Sequence, residues 1–302
     1  MARSALFYKN QLGGLSTVED MSRSTGNRFY VDSGAADNGD TNSYGQTPDA
    51  PFATIDFAVS QCTANNGDII YAMPGHAEVG SAAGALDFDV AGITLLGIGD
   101  GAATPTVTLD TAITADVDID AANVTIENIH FIANFLDITA AIDVNADDFT
   151  LRNCRFTDTS ATLNAKIWVQ DAAATASDRI TIEGCHADAV GTANTHFLNL
   201  AGTGHGHVIR DNILMGIFQT MCLGGAGVVT KCSIINNYIL NTNGVADGCI
   251  NMAATATGIC ADNRCCGGHA TGGIVNGDLG SLENYYEDFE TDLSGSLEPA
   301  VA

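Results

Sequence analysis

The chain has 302 residues, of which 46% are hydrophobic but only 7% aromatic, and its 36 acidic residues against 11 Lys and Arg give a net charge of −25. Such a charge excludes nucleic-acid phosphates and anionic membrane surfaces as partners, and no apolar run approaches the roughly 20 residues needed to span a bilayer. Residues 5–8 are too short an apolar run for a secretion signal, so the nine cysteines are expected to be reduced.

Residues 1–28 carry a charge of +2 on a body of −27. Beside their basic groups stand apolar side chains, and Arg3, Leu6, Phe7, Tyr8, Lys9 and Leu12 are expected to contact a neighbouring protein. The plainer reading is a disordered leader. Residues 29–66 read as an N-terminal cap. Within them, 33–50 is a loop by its Gly, Asp, Asn and Ser content. Pro51 then opens a helical pattern with Ile55, Ala58, Val59 and Cys62 on one face and Asp49 as the expected N-cap.

Residues 67–280 carry a repeat. GDIIYAMPGH (67–76) forms the first rung, with Pro74 and Gly75 as its turn. Seven later segments each hold Gly or Asn at one slot: Gly97, Asn128, Asn153, Gly184, Asn212, Asn237 and Asn263, at steps of 31, 25, 31, 28, 25 and 26 residues. A near-constant period in this range marks a solenoid. Two and four residues before the slot stand mostly β-branched or other apolar residues, such as Val124, Ile126, Ile180 and Ile182, which is strand spacing. The expected architecture is therefore all-β, a right-handed parallel β-helix of seven or eight rungs with an N-terminal capping helix and an extended N-terminal arm. Arg210 interrupts the inward column. Either the register slips and Ile209 turns inward, or Arg210 is buried and paired. Residues 281–302 hold no slot and read as a C-terminal cap or tail, with Tyr285, Tyr286, Phe289 and Leu293 as a stripe on a short helix.

The order of an Asp/Gly/Asn loop, PFATIDFAVSQC and GDIIYAMPGHAE resembles the opening of many pectate-lyase-like right-handed β-helix proteins. The likeness covers residues 30–76 closely and the remainder through the repeat. It implies the fold. It does not fix the activity, because that superfamily holds lyases, hydrolases, adhesins and phage virion surface proteins.

Four groups of residues were candidates for chemistry. Cys260, Cys265, Cys266 and His269 cluster in sequence, but their spacing suits rung packing better than a metal. Gly204, His205, Gly206 and His207 resemble the Gly-His-Gly piece of polygalacturonase-like hydrolases. A glycosidase there would need clustered carboxylates, and Asp147 and Asp148 are adjacent and so expected on opposite strand faces. A lyase would need a basic residue, and Arg152 and Arg179 do not share a column. Calcium would be sought at Asp37 and Asp40 or along Asp116, Asp118 and Asp120, whose plainer reading is outward aspartates on a strand. Cys154 and Cys185 share a column and are expected to pack as small buried groups.

With no coherent catalytic set, no metal and no cofactor expected, the sequence reads as a non-enzymatic protein. It resembles phage virion surface proteins, specifically a homotrimeric capsid decoration protein held to the particle by residues 1–28. The alternatives are a tailspike-type polysaccharide depolymerase or lyase, favoured by two outward carboxylates about 5–10 Å apart, and a glycan-binding adhesin with an exposed aromatic platform.

Overall fold

The computed structural model describes residues 26–171, 176–243, 248–267, 274–275, 277–287 and 294–297. The attachment residues expected at Arg3, Leu6, Phe7, Tyr8, Lys9 and Leu12 lie outside these, as do His269, Phe289 and Leu293.

The described chain winds as a parallel β-helix with three long sheets. Each rung up to Ile274–Val275 passes through the three in turn, and the last described strand, Ser294–Leu297, pairs antiparallel with Asn284–Glu287. In the first rung the three strands are Ile69–Ala72, Ala77–Gly80 and Leu86–Asp87, and their sheets are called the first, second and third below. The first and second sheets have ten strands and the third has eight, which agrees with one third-sheet strand for each of the rungs expected. Alternation along each strand sends one set of side chains inward and the next outward. Thus Val117 and Ile119 are fully buried around the half-buried Asp118. The inward columns merge into one core, with Phe131 stacked on Phe156 at 5.3 Å and Phe156 edge-on to Trp168 at 5.4 Å.

At the N-terminal end, Arg28–Val31 pairs in parallel with Ile69–Ala72, so this segment supplies the first sheet's edge strand. A helix over Ile55–Ser60 follows, and it packs against the strands Arg28–Val31, Ile69–Ala72 and Leu86–Asp87. Ile55, Ala58 and Val59 face the core as expected. The cap is Thr54 rather than Asp49, its hydroxyl accepting from the Phe57 amide at 3.3 Å. Asp40 fixes that start by accepting from the amides of Ala53 and Thr54 and from the Thr54 hydroxyl.

The expected single slot line divides into two neighbouring columns. Gly97, Asn128, Asn153 and Gly184 align, and the register continues that column through Asp211, Asn236, Asp262 and Glu283. From Asn128 onward every member adopts positive φ, between 52° and 64°, which turns the chain between the first and second sheets. Asn212, Asn237 and Asn263 stand one residue later. The slip removes the Arg210 conflict: Ile209 is buried and Arg210 points outward to Glu183. Outside, Glu127, Arg152, Glu183 and Arg210 form a ladder of alternating charge, in which Glu183 accepts from both arginines. The two arginines that bracket Glu183 therefore share a column, although Arg152 and Arg179 do not.

The second corner column points inward. It begins with Ile129, Cys154 and Cys185 and continues as Asn212, Asn237, Asn263 and Asn284. The four asparagines form a ladder. Each Nδ2 from Asn212 to Asn263 donates at 2.9 Å to the Oδ1 of the next, and each also donates to a main-chain carbonyl of the preceding rung. Asn284 extends the repeat into the segment expected to be a non-repeating tail. Asn284–Glu287 is a strand paired with Arg264–Gly267, not part of a helix, with Tyr286 inward and Tyr285 outward.

Candidate functional site

The third sheet positions the most unusual chemistry of the molecule. Register along its outward middle column runs Asp87, Asp118, Asp143, Gln170, Asn199, Gly224 and Asn251. Three carboxylates therefore stand on consecutive rungs, each separated by the strand spacing of roughly 4.8 Å. Asp116 and Asp120 flank Asp118 just beyond the two ends of its strand, Val117–Ile119, and also face away from the core. Below the acids the column becomes neutral, with Asn199 Nδ2 donating to Gln170 Oε1 at 3.0 Å.

Like charges at one-rung spacing disfavour joint ionisation. Burial pushes the Asp118 carboxyl up to about 7, helped by the charges of Asp116, Asp120, Asp143 and Asp87. Burial first, then neighbouring carboxylates, also raises Asp87 and Asp143. One oxygen of Asp87 and one of Asp143 are buried without a hydrogen-bond partner. Asp120, by contrast, accepts from Asn145 Nδ2 at 2.9 Å. The arrangement can hold a proton on one carboxyl while leaving a neighbour ionised, which is the requirement for paired acid and base chemistry.

Asp116, Asp118 and Asp120 were singled out from sequence, and the structure bears out their outward alternation. Asp87 and Asp143 were missed, because they become neighbours only through third-sheet register. Asp37 and Asp40, the other expected calcium ligands, serve the N-terminal loop: Asp37 accepts from the Tyr44 hydroxyl and Asp40 holds the helix start. Among the described residues, no group of three or more His, Cys, Asp or Glu side chains is arranged to hold a metal ion.

The Gly-His-Gly region forms a second polar cluster at the turn from the third sheet back to the first. His205 Nδ1 lies 2.8 Å from Asp178 Oδ2. Arg179 donates to Asp148 Oδ1 at 2.5 Å and to Asp147 Oδ2 at 3.3 Å. Asp147 and Asp148 thus reach one guanidinium instead of opposite faces, because Asp148 has φ +60° and leaves strand geometry. The Arg179 hydrogen bond and charge hold Asp148 below the usual carboxylate range. His207 is buried, and burial lowers it to about 4. Every acid of this cluster is matched to a cation or an amide, so it is better built as a structural clasp than as a proton donor.

Cys260 and Cys265 are buried and Cys266 is half-buried; all three are free thiols. Burial pushes Cys260 up to about 12 and raises Cys265 strongly, so both are protonated core groups. Cys154 and Cys185 pack as expected, buried and unbridged.

No protein-family model matches the chain, and no curated protein matches it. Among solved structures it is similar to a rhamnogalacturonan lyase, with a TM-score of 0.53 and 15% identity over 87% of this chain and 69% of that one. It is also similar to the GH136 lacto-N-biosidase from Eubacterium ramulus, with a TM-score of 0.49 and 11% identity over 87% of this chain. This chain spans about half the length of the biosidase, 55%. The first likeness supports the pectate-lyase-like β-helix read from sequence. It also overturns the expectation that the chain is not an enzyme, because the scaffold taken as structural is shared with a chain named as a lyase. It carries nothing about a virion role.

Proposed function

We propose that this chain is a carbohydrate-active β-helix protein that cleaves a neutral, linear glycan laid along the outward column of the third sheet. The observation that carries this reading is the stacking of Asp87, Asp118 and Asp143 on consecutive rungs. Their spacing of roughly 4.8 Å is close to the carboxyl separation of about 5–5.5 Å used by retaining glycosidases. Asp118, protonated up to about pH 7, donates its proton to the glycosidic oxygen as the bond to the anomeric carbon breaks. An ionised neighbour one rung away, Asp87 or Asp143, attacks that carbon and forms a glycosyl ester. Asp118, now ionised, takes a proton from water, whose oxygen displaces the ester and restores both carboxyls. The amides of Gln170, Asn199 and Asn251 continue the track and supply hydrogen bonds to sugar hydroxyls.

Charge favours a neutral substrate. A chain at −25 repels polyuronates, and the acid column would face their carboxylates directly. Release of reducing ends from xylan, mannan, β-glucan and galactan tests the proposal. Turnover on at least one is expected, falling at least about 100-fold in Asp118→Asn. No turnover on any, or turnover that survives this substitution, would overturn it. Attachment through Arg3, Leu6, Phe7, Tyr8, Lys9 and Leu12 to a homotrimer neighbour or virion protein is a separate proposal resting on sequence pattern, tested by deleting residues 1–28.

A further inference from the structure

The outward column of the second sheet changes character along the coil. Its register runs His130, Arg155, His186, Ile213, Tyr238, Arg264 and Tyr285. Tyr238 and Tyr285 are 45% and 54% exposed, one rung either side of the exposed Arg264. The two tyrosines are thus two rungs apart, roughly 10 Å. Arg264 forms no ion pair among the described residues, whereas Arg152, Arg179 and Arg210 all do. Trp168 takes no part in any exposed surface, being fully buried.

Beside this strip lies a groove of about 510 Å³, lined by Arg210, Asp211, Ile235, Asn236, Asp262, Arg264 and Tyr285. It runs along the positive-φ corner, where Asp211, Asn236 and Asp262 project from successive rungs. Its volume falls in the range of small-molecule sites. Two arginines and two aspartates balance its charge, over an apolar wall at Ile235.

We infer that the Tyr238–Arg264–Tyr285 strip and its groove form a glycan-binding platform, separate from the acid column and specific for neutral oligosaccharides. A pyranose ring has an apolar C–H face and a rim of hydroxyls. Exposed tyrosine rings match the face, and Arg264, Asp262 and Asn236 match the rim with paired donors and acceptors. Tyrosine and arginine also serve protein interfaces, but Asp211 and Asp262 are of a residue type depleted there, which favours the sugar over a protein partner. A polyanion is disfavoured by the balanced groove and the negative body. The platform lies on a different sheet from Asp118 and towards the other end of the coil. It would hold a long glycan while the acid column works on another part, and it does not depend on that column being catalytic.

The test uses the full chain carrying Asp118→Asn, so that no bound sugar is consumed. It is applied to a microarray of neutral glycans alongside polygalacturonate oligomers, and hits are measured by titration calorimetry. Binding to at least one neutral glycan is expected, and none to polygalacturonate. Tyr238→Ala with Tyr285→Ala should weaken the hit about tenfold or more, while Tyr238→Phe with Tyr285→Phe retains most of it. Circular dichroism checks that each variant remains folded. No neutral hit, or a hit unaffected by the double alanine variant, would overturn the platform. A tyrosine-dependent hit, with no release of reducing ends from any polysaccharide by the chain that retains Asp118, would uphold the platform and count against the hydrolase reading alone.

Discussion

The two halves of the coil treat buried polarity in opposite ways. Towards the C-terminus, the inward corner column is four asparagines, the amides of the first three each bonded to the next rung. The third sheet's outward column is likewise uncharged there, at Gly224 and Asn251, and is already neutral at Gln170 and Asn199 on the rungs of Cys154 and Cys185. Towards the N-terminus, the same corner column is Ile129, Cys154 and Cys185, and the outward column opens with three stacked carboxylates, the last of them, Asp143, on the rung of Ile129. One backbone course serves both halves. The ladder spends its polar groups on stability, whereas the acids are held where mutual repulsion and burial oppose their charge. Stability surrendered in this way is characteristic of functional sites.

The strongest way to break the comparison is to place a charge inside the coil. Ile182 is fully buried and pairs in register with Leu151 and Ile209. Ile182→Asp should cost more than about 4 kcal/mol and abolish the folded β-signal in circular dichroism. A variant that melts like the wild type would place Ile182 outside the core.

Next in size is the ladder itself. Asn237 accepts from Asn212 and donates to Ile209 O and Asn263 Oδ1. Asn237→Ala strands at least two buried groups and should cost about 3 kcal/mol or more. In the apolar half, Cys154→Ala at the matching column should cost only about 1 kcal/mol. Denaturant midpoints of the two variants measure the difference, and equal losses would remove the distinction between the halves.

A smaller effect separates the outward columns. Asp118 has its pKa raised to about 7 in the folded chain, so between about pH 4 and 7 the folded state binds its proton more tightly than the unfolded state does. Its contribution to stability therefore falls as pH rises through that window. His130, His196 and His207, lowered by burial to about 4, act in the opposite sense and lose stability as pH falls below their unfolded value. The wild-type curve mixes these trends, so the difference between wild type and Asp118→Asn isolates the aspartate. The variant should gain relative stability from about pH 4 and level off above about pH 7. The matching substitution Gln170→Ala should show no such pH dependence.

The sequence made the coil legible because apolar residues two apart, such as Val124 and Ile126, state a strand's inward face directly. It blurred the corner. Asn suits both the positive-φ turn and the inward ladder, so Asn153 and Asn212 appeared equivalent although they stand one residue apart around the rung. Only Arg210, a charge where an apolar group belonged, marked the slip. The helix was visible, but its cap was not, because Asp40 reaches Thr54 from 14 residues away. The acid column was the least legible feature. Asp87, Asp118 and Asp143 fall at unequal steps of 31 and 25 residues, and the variable turns before the third sheet hide their common register. Tyr285 was visible as an aromatic, but its partnership with Tyr238 required Asn284 to be recognised as a further ladder member.

Burial first, then the charges of Asp116 and Asp120 and of the column neighbours Asp143 and Asp87, keep Asp118 protonated near neutrality. Carboxyl-carbon NMR titration of the full chain, with Asp118 assigned by its disappearance in Asp118→Asn, tests that claim without needing a substrate. Asp118 should titrate near 7, and replacing both Asp87 and Asp143 with Asn should lower it while burial keeps it above the ordinary value of about 3.9. Titration of Asp118 near that ordinary value in the unaltered chain would contradict the account, leaving the three carboxylates as outward aspartates on a strand.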